Sequence, residues 1–99
     1  MKPYFLPLKA EPYERIEAGL QMSEIRPNNH RGWNHSNIFP GRILNLSYGY
    51  GKKRRMLKTV TNIIITRNLE EEKNITGEHI KLVYKIYGKR YEWLVARFD

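Results

Sequence analysis

The amino-acid sequence predicts a small α+β protein, a mixed β-barrel of about five strands with two helices at its openings. The chain has 99 residues, which suffices for one modest core, so we take 1–99 as a single domain. Five segments have the alternation or apolar character of strands, and two have apolar residues at helical spacing. Elements of this number and length are typical of small mixed barrels.

The N-terminal quarter of the chain predicts a strand, a helix and a second strand. Tyr4–Leu8 is a short apolar segment and forms the first strand. The helix has Pro12 in its first turn and Gly19 as a left-handed C-terminal cap. Its apolar stripe comprises Tyr13, Ile16 and Leu20. The second strand covers Gln21–Arg26 and ends at Pro27.

The central segment predicts a loop followed by two strands that a basic turn joins. Asn28–Pro40 is the loop, and Arg42–Tyr48 alternates between apolar and polar residues as a half-buried strand does. Met56–Thr66 is apolar on both faces around its three isoleucines, which is typical of a central strand. Its alternation shifts near Val60 and Thr61, and this shift predicts a β-bulge.

The C-terminal part begins with an acidic connector, 68–73, and then fits two templates. From Thr76 to Tyr87 the apolar residues match either a helix or one arm of a hairpin that turns at Gly88. Thr76 is a good helix N-cap and Gly88 a good stop, so the helix is favoured. Tyr91–Phe98 is the last strand.

Composition excludes several function classes. There is no cysteine, which excludes disulfides and thiolate chemistry. No apolar run approaches the roughly 18 residues of a membrane span, and no signal peptide is recognisable, so we expect a cytoplasmic protein without a membrane partner. The histidines His30, His35 and His79 lack metal-ligand spacing, and no phosphate-binding glycine loop is present. We therefore expect no metal and no other cofactor.

Positive charge is concentrated in the middle of the chain. The formal net charge is +8, and residues 25–69 contain nine Lys or Arg and no Asp or Glu. This pattern favours a polyanionic partner, with nucleic acid the first candidate, and a solvated basic surface is the alternative. The candidate contacts with RNA or a nucleotide are Arg26, Arg31, Trp33, Tyr50, Lys52, Lys53, Arg54 and Arg55.

These residues are candidates for different chemical reasons, and each group also has a structural explanation. Lys52 to Arg55 suit phosphates, unless they are a solvated hairpin tip. Trp33 and Tyr50 offer rings on which unpaired bases stack, although a loop Trp also covers core edges. Glu24 and Arg26 lie two residues apart, hence on one strand face, where they either brace the fold or bind a polar ligand.

The order of elements and the segment YERIEAGLQMSEIR (13–26) resemble the ASCH domain of the PUA-like β-barrel superfamily. The family signature is a helix followed by Gly-x-Lys-x-x-Glu/Thr-x-Arg, and Gly19, Gln21, Glu24 and Arg26 stand at its positions. The strand led by Gly41 and the segment 74–98 are similar to later parts of small bacterial ASCH proteins, which favours the second helix. The resemblance covers nearly the whole chain.

The resemblance implies a cleft at the barrel mouth that holds RNA or a modified nucleoside. One branch of the family deacylates N4-acetylcytidine with a lysine and a threonine of this motif and a glutamate before the last helix. Here Gln21, Glu24 and Lys73 stand at those positions, and Glu72 is one residue away from the last. We therefore predict binding of RNA or a nucleoside. The alternative is a hydrolase of an acylated nucleoside or of RNA, in which Glu24 activates water.

Overall fold

A computed structural model describes residues 2–28, 36–51 and 53–98. The elements are β1 (Tyr4–Leu8), α1 (Ala10–Glu17), β2 (Ser23–Asn28), β3 (Ile43–Tyr48), β4 (Arg55–Thr66), a 3-10 turn (Leu69–Glu71), α2 (Gly77–Tyr87) and β5 (Glu92–Phe98). The strands form one curled half-barrel sheet in the order β1-β3-β4-β5-β2. The predicted α+β class, with five strands and two helices, is confirmed.

The sheet has an inner face that carries the larger hydrophobic cluster. Alternate residues of β1, β3 and β5 meet there and are almost completely buried, namely Leu6, Leu8, Leu44, Leu46, Leu94, Ala96 and Phe98. Tyr13 and Ile16 of α1 pack into the same cluster. β1 runs parallel to β3, and all other neighbouring strands are antiparallel. The connection between the parallel strands therefore passes through α1 and β2.

Helix α1 ends in the backbone motif that its glycine predicted. Gly19 has a φ of 76°, and its N–H donates to the carbonyl oxygen of Ile16 at 3.0 Å. The N–H of Leu20 donates to the carbonyl oxygen of Arg15 at 2.9 Å, which completes a Schellman motif. This turn directs Leu20 away from the core and leaves it 63% exposed, so its predicted place in the apolar stripe is wrong.

Helix α2 covers part of the opposite, outer face of the sheet. Ile80 and Val83 of α2 pack on Ile25 of β2 and on Trp93 and Val95 of β5, all buried. The sequence predicted both helices at barrel openings, whereas α2 lies against a sheet face, because β2 and β5 are apolar there. The hairpin alternative is wrong, since Thr76 Oγ1 caps the helix by accepting the N–H of His79 at 3.2 Å.

The predicted bulge in β4 is confirmed, and it reverses which alternate residues of the strand face the inner cluster, from Met56 and Val60 before it to Ile63 after it. Its first half pairs with β3, and its second half pairs with β5. Val60 pairs with Phe98 and Asn62 pairs with Arg97, so Thr61 is the extra residue. As a result Ile63 packs on the inner cluster while its neighbour Ile64 packs on the outer cluster beneath α2.

Strands β1 and β2 are the two edges of the sheet, and we call the gap between them the seam. The guanidinium of Arg26 crosses it, with Nη2 donating to the carbonyl oxygen of Pro7 at 2.7 Å. The prediction that β2 ends at Pro27 is wrong, because Pro27 pairs with Trp93 and the strand continues to Asn28. An edge strand tolerates proline since only one of its sides takes part in the sheet.

Within the described ranges no helix has both the length and the apolar character needed to cross a membrane.

Candidate functional site

A cavity of about 350 Å³ lies at the seam. One wall is the end of β1 with the turn that follows β3, a second wall is β2, and the third is one side of α2. Lys9 and the 84% exposed Tyr50 also line it and stand at its rim. The volume is at the lower end of the range of about 300–1,000 Å³ that is usual for sites of small ligands.

Glu24 is buried in the wall that β2 forms. Its Oε1 accepts the backbone N–H of Ile25 at 3.1 Å, whereas Oε2 has no hydrogen-bond partner among the described residues. Burial raises the pKa of the Glu24 carboxyl, while the charge of Arg26 and the N–H of Ile25 act in the opposite direction. The raised pKa makes this carboxyl easier to protonate than a solvated one.

Arg26 both braces the seam and is one of the residues that line the cavity. Its Nη2 donates to Pro7, and its Nε lies 3.9 Å from Oε1 of Glu24, which is an ion pair without a hydrogen bond. Nε itself has no hydrogen-bond partner within the part of the chain that the structure describes. The two functions expected for this pair, bracing and ligand binding, are therefore compatible in one side chain.

Gln21 is the third polar side chain of the cavity, and it precedes β2. Its Nε2 donates to the carbonyl oxygen of Ser23 at 2.9 Å, which fixes the orientation of the amide. Its Oε1 is buried and has no partner among residues 2–28, 36–51 and 53–98. Leaving a buried polar atom unpaired costs about 1–3 kcal/mol. Three such atoms belong to residues that line one cavity, and buried polar atoms are normally paired with protein, water or a ligand.

Helix α2 contributes two residues that the sequence analysis did not assign to the site, His79 and Tyr87. Burial and, secondly, the charge of Arg15 lower the pKa of His79 to about 4, so its imidazole is neutral near pH 7. Burial likewise raises the pKa of Tyr87. The signal was the spacing of four between His79, Val83 and Tyr87, which places them on one side of a helix.

The other two predicted catalytic residues lie elsewhere. Glu72 and Lys73 follow the 3-10 turn, and neither lines the cavity. Glu72 is half-buried and Lys73 is exposed. The cavity thus brings together Gln21, Glu24 and Arg26. Its third wall is α2, whereas the resemblance implied a residue of the acidic connector 68–73 at that place.

The predicted nucleic-acid contacts are divided between the cavity rim and the turn after β3. Arg54 pairs with Glu17, and its guanidinium lies 4.7 Å from the ring centroid of Tyr48. The guanidinium of Arg55 lies 5.1 Å from the ring centroid of Phe5, and Lys53 is exposed. Arg31, Trp33 and Lys52 lie outside the described residues.

Metal chemistry has no support in the described ranges, because no three His, Asp or Glu side chains there are close enough to hold an ion. A scan against models of protein families gives no match, and a search of curated proteins gives none either.

Proposed function

We propose that the protein binds RNA or a nucleoside by taking one base into the cavity at the seam. The observation that carries this proposal is that three polar residues line one cavity and that each has a buried atom without a described partner, namely Oε1 of Gln21, Oε2 of Glu24 and Nε of Arg26. The edge of a nucleobase presents donors and acceptors side by side in one plane, which is the arrangement that such atoms recognise.

The remaining walls fit the rest of a nucleotide. Leu82, Val83 and Ile86 of α2 provide an apolar wall for the face of a base. Tyr50 stands at the rim, where an exposed ring stacks on a base that leaves the cavity. Lys9 at the rim and the basic turn beyond it supply positive charge for phosphates.

We also propose membership of the ASCH family and a PUA-like barrel, with a cytoplasmic location. The order of elements and the positions of Gly19, Gln21, Glu24 and Arg26 support this proposal. The departures at Gln21 and Glu24 favour binding over the chemistry of the amidohydrolase branch, because a glutamine does not act as a base.

Calorimetric titration with the four nucleosides and with single-stranded RNA at low salt tests the binding proposal. We expect Glu24→Gln and Gln21→Met to lower the affinity about tenfold or more at nearly constant side-chain volume. Gln21→Met removes a polar group, and Glu24→Gln removes the charge and puts an NH2 donor in place of the acceptor Oε2. Glu14→Gln is the matched control, since Glu14 is exposed on α1 and lies outside the cavity lining. Absence of binding by every nucleoside and RNA at low salt would contradict the proposal.

The buried carboxyl of Glu24 also favours a second candidate, hydrolysis of an acylated nucleoside. Burial raises the pKa of this carboxyl, and a raised pKa favours the transfer of a proton by a carboxyl. Release of acetate from N4-acetylcytidine, measured by chromatography, distinguishes the two functions. Turnover that Glu24→Gln abolishes supports the hydrolase, and turnover that survives this substitution removes Glu24 from the mechanism. Binding without turnover leaves the first proposal alone.

A further inference from the structure

We infer that an outer face of the sheet binds single-stranded nucleic acid next to the base in the cavity. This face, which we call the platform, consists of β1, β3 and the first half of β4. The inference rests on the proposed function and deepens it, because it makes the ligand a strand of several nucleotides rather than a free nucleoside. It also assigns contacts to residues that the cavity does not use.

Strand register places two exposed apolar residues in one row of the platform, on either side of Asn45. Phe5 pairs with Asn45, and Asn45 pairs with Leu57, so these three side chains form one row across the strands. Phe5 is 38% exposed and Leu57 is 62% exposed. The next row ends at Arg55, which pairs with Ser47. In the described residues no helix covers these rows, in contrast to the half of the face beneath α2.

The platform is continuous with the cavity through one residue, Tyr50. Tyr50 lines the cavity rim, and its ring centroid lies 6.4 Å from that of Phe5. The guanidinium of Arg55 in turn lies over the Phe5 ring. A strand that leaves the cavity past Tyr50 therefore meets an aromatic ring and then a guanidinium, the two kinds of planar group on which unpaired bases stack.

The positive charge of the platform and the adjoining turn favours a polyanion as the partner. Among the described residues the rows of the platform and the adjoining turn contain Lys53, Arg54 and Arg55 and no Asp or Glu. Arg54 is paired with Glu17 of α1, so Lys53 and Arg55 carry the positive charge of this face. A second copy of this chain would bring like charges together on this face, whereas a phosphate backbone would neutralise them. Exposed rings without a deep groove are suited to bases that stack rather than to a folded protein surface.

The test compares ligands of two lengths. Fluorescence anisotropy measures the affinity for a labelled single-stranded hexanucleotide of random sequence, in RNA and in DNA form, and calorimetry measures the four 5′-mononucleotides. We expect the hexanucleotide to bind at least tenfold more tightly than any mononucleotide. Phe5→Ala should weaken hexanucleotide binding about 5- to 100-fold, the range of a lost stacking contact, and leave mononucleotide binding unchanged.

Two further variants complete the design. Arg55→Gln should weaken the hexanucleotide and reduce the salt dependence of its binding by about one phosphate contact. Leu20→Ala is the matched control, because Leu20 is as exposed as Leu57 but lies at the end of α1. Circular dichroism establishes that each variant is folded. A preference for RNA over DNA on the wild-type platform would assign contacts to the 2′-hydroxyl groups.

The outcomes separate this inference from the proposed function. Mononucleotide binding that Glu24→Gln weakens, together with a hexanucleotide affinity that Phe5→Ala and Arg55→Gln leave unchanged within twofold, overturns the platform and preserves the cavity. Equal affinity for mononucleotide and hexanucleotide also overturns the platform. A dimer that Phe5→Ala dissociates, with no loss of hexanucleotide binding, would assign the face to a second copy instead.

Discussion

The outer face of the sheet has two halves that both carry apolar residues but differ in how far those residues are exposed. Beneath α2, Ile25, Trp93 and Val95 are completely buried. On the platform, Phe5 and Leu57 remain exposed. The difference shows that strand patterning alone does not define the core of this protein, since apolar residues on one face either hold a helix or remain available for a partner.

Replacement of Trp93 by alanine should show the largest difference between the two halves. Trp93 is completely buried and contacts three tyrosine rings, at centroid distances of 5.7 to 6.2 Å. We expect Trp93→Ala to lower the free energy of unfolding by about 3–5 kcal/mol, as truncation of a buried aromatic residue does. Urea unfolding followed by circular dichroism measures it. A loss below 1 kcal/mol would mean that α2 does not depend on this contact.

Acid should destabilise the covered half through His79. Its pKa is about 4 in the folded protein against an ordinary value of 6.5, so the unfolded chain binds more protons between these values. Stability is therefore lost as the pH falls from 6.5 to 4, by about 3 kcal/mol from this residue. Unfolding in urea at pH 7 and pH 4 should show this loss in the wild type.

The matched variant is His79→Gln, which has no group that titrates in this range. Between pH 7 and pH 4 the free energy of unfolding of this variant should fall less than that of the wild type. The difference between the two losses should equal the contribution of His79, about 3 kcal/mol. Equal losses in the two proteins would contradict burial as the origin of the pKa shift. The raised pKa of Glu24 has the opposite effect on stability. Its carboxyl is harder to ionise in the folded protein than in the unfolded chain, so stability falls as the pH rises above 4.5.

Substitutions on the platform should have the smallest effect on stability. Leu57→Ala and Phe5→Ala remove side chains that are already exposed to solvent, so we expect changes within about 0.5–1 kcal/mol in urea unfolding. If Leu57→Ala destabilised the protein as much as Trp93→Ala, the platform would belong to the core and would not be available for a ligand.

Local patterns in the sequence predicted much of the fold. Gly19 indicated where α1 ends, Thr76 and Gly88 indicated α2, and the shift near Val60 indicated the bulge. Each of these signals depends on the backbone conformation of a few neighbouring residues, which the sequence determines directly. The exposure of Leu20 and the passage of β2 through Pro27 depend on which neighbours surround those residues in the fold, so local patterns did not predict them.

The site was predicted in part, for the same reason. Gln21, Glu24 and Arg26 lie within six residues, and alternation along one strand was enough to bring the last two together. His79 and Tyr87 come from a helix about 55 residues later in the sequence, and only the packing of α2 on β2 places them beside Glu24. Glu72 and Lys73 were assigned from resemblance alone, and the cavity does not include them.

The proline in β1 has a consequence for how this protein behaves at high concentration. In a strand the nitrogen and the oxygen of one residue point to the same side, and the oxygen of Pro7 faces Arg26 across the seam. The ring nitrogen of Pro7 therefore faces the seam as well and has no hydrogen to offer to an added strand. The other edge strand also carries a proline, Pro27. Both edges of the open sheet thus resist the strand addition that starts aggregation.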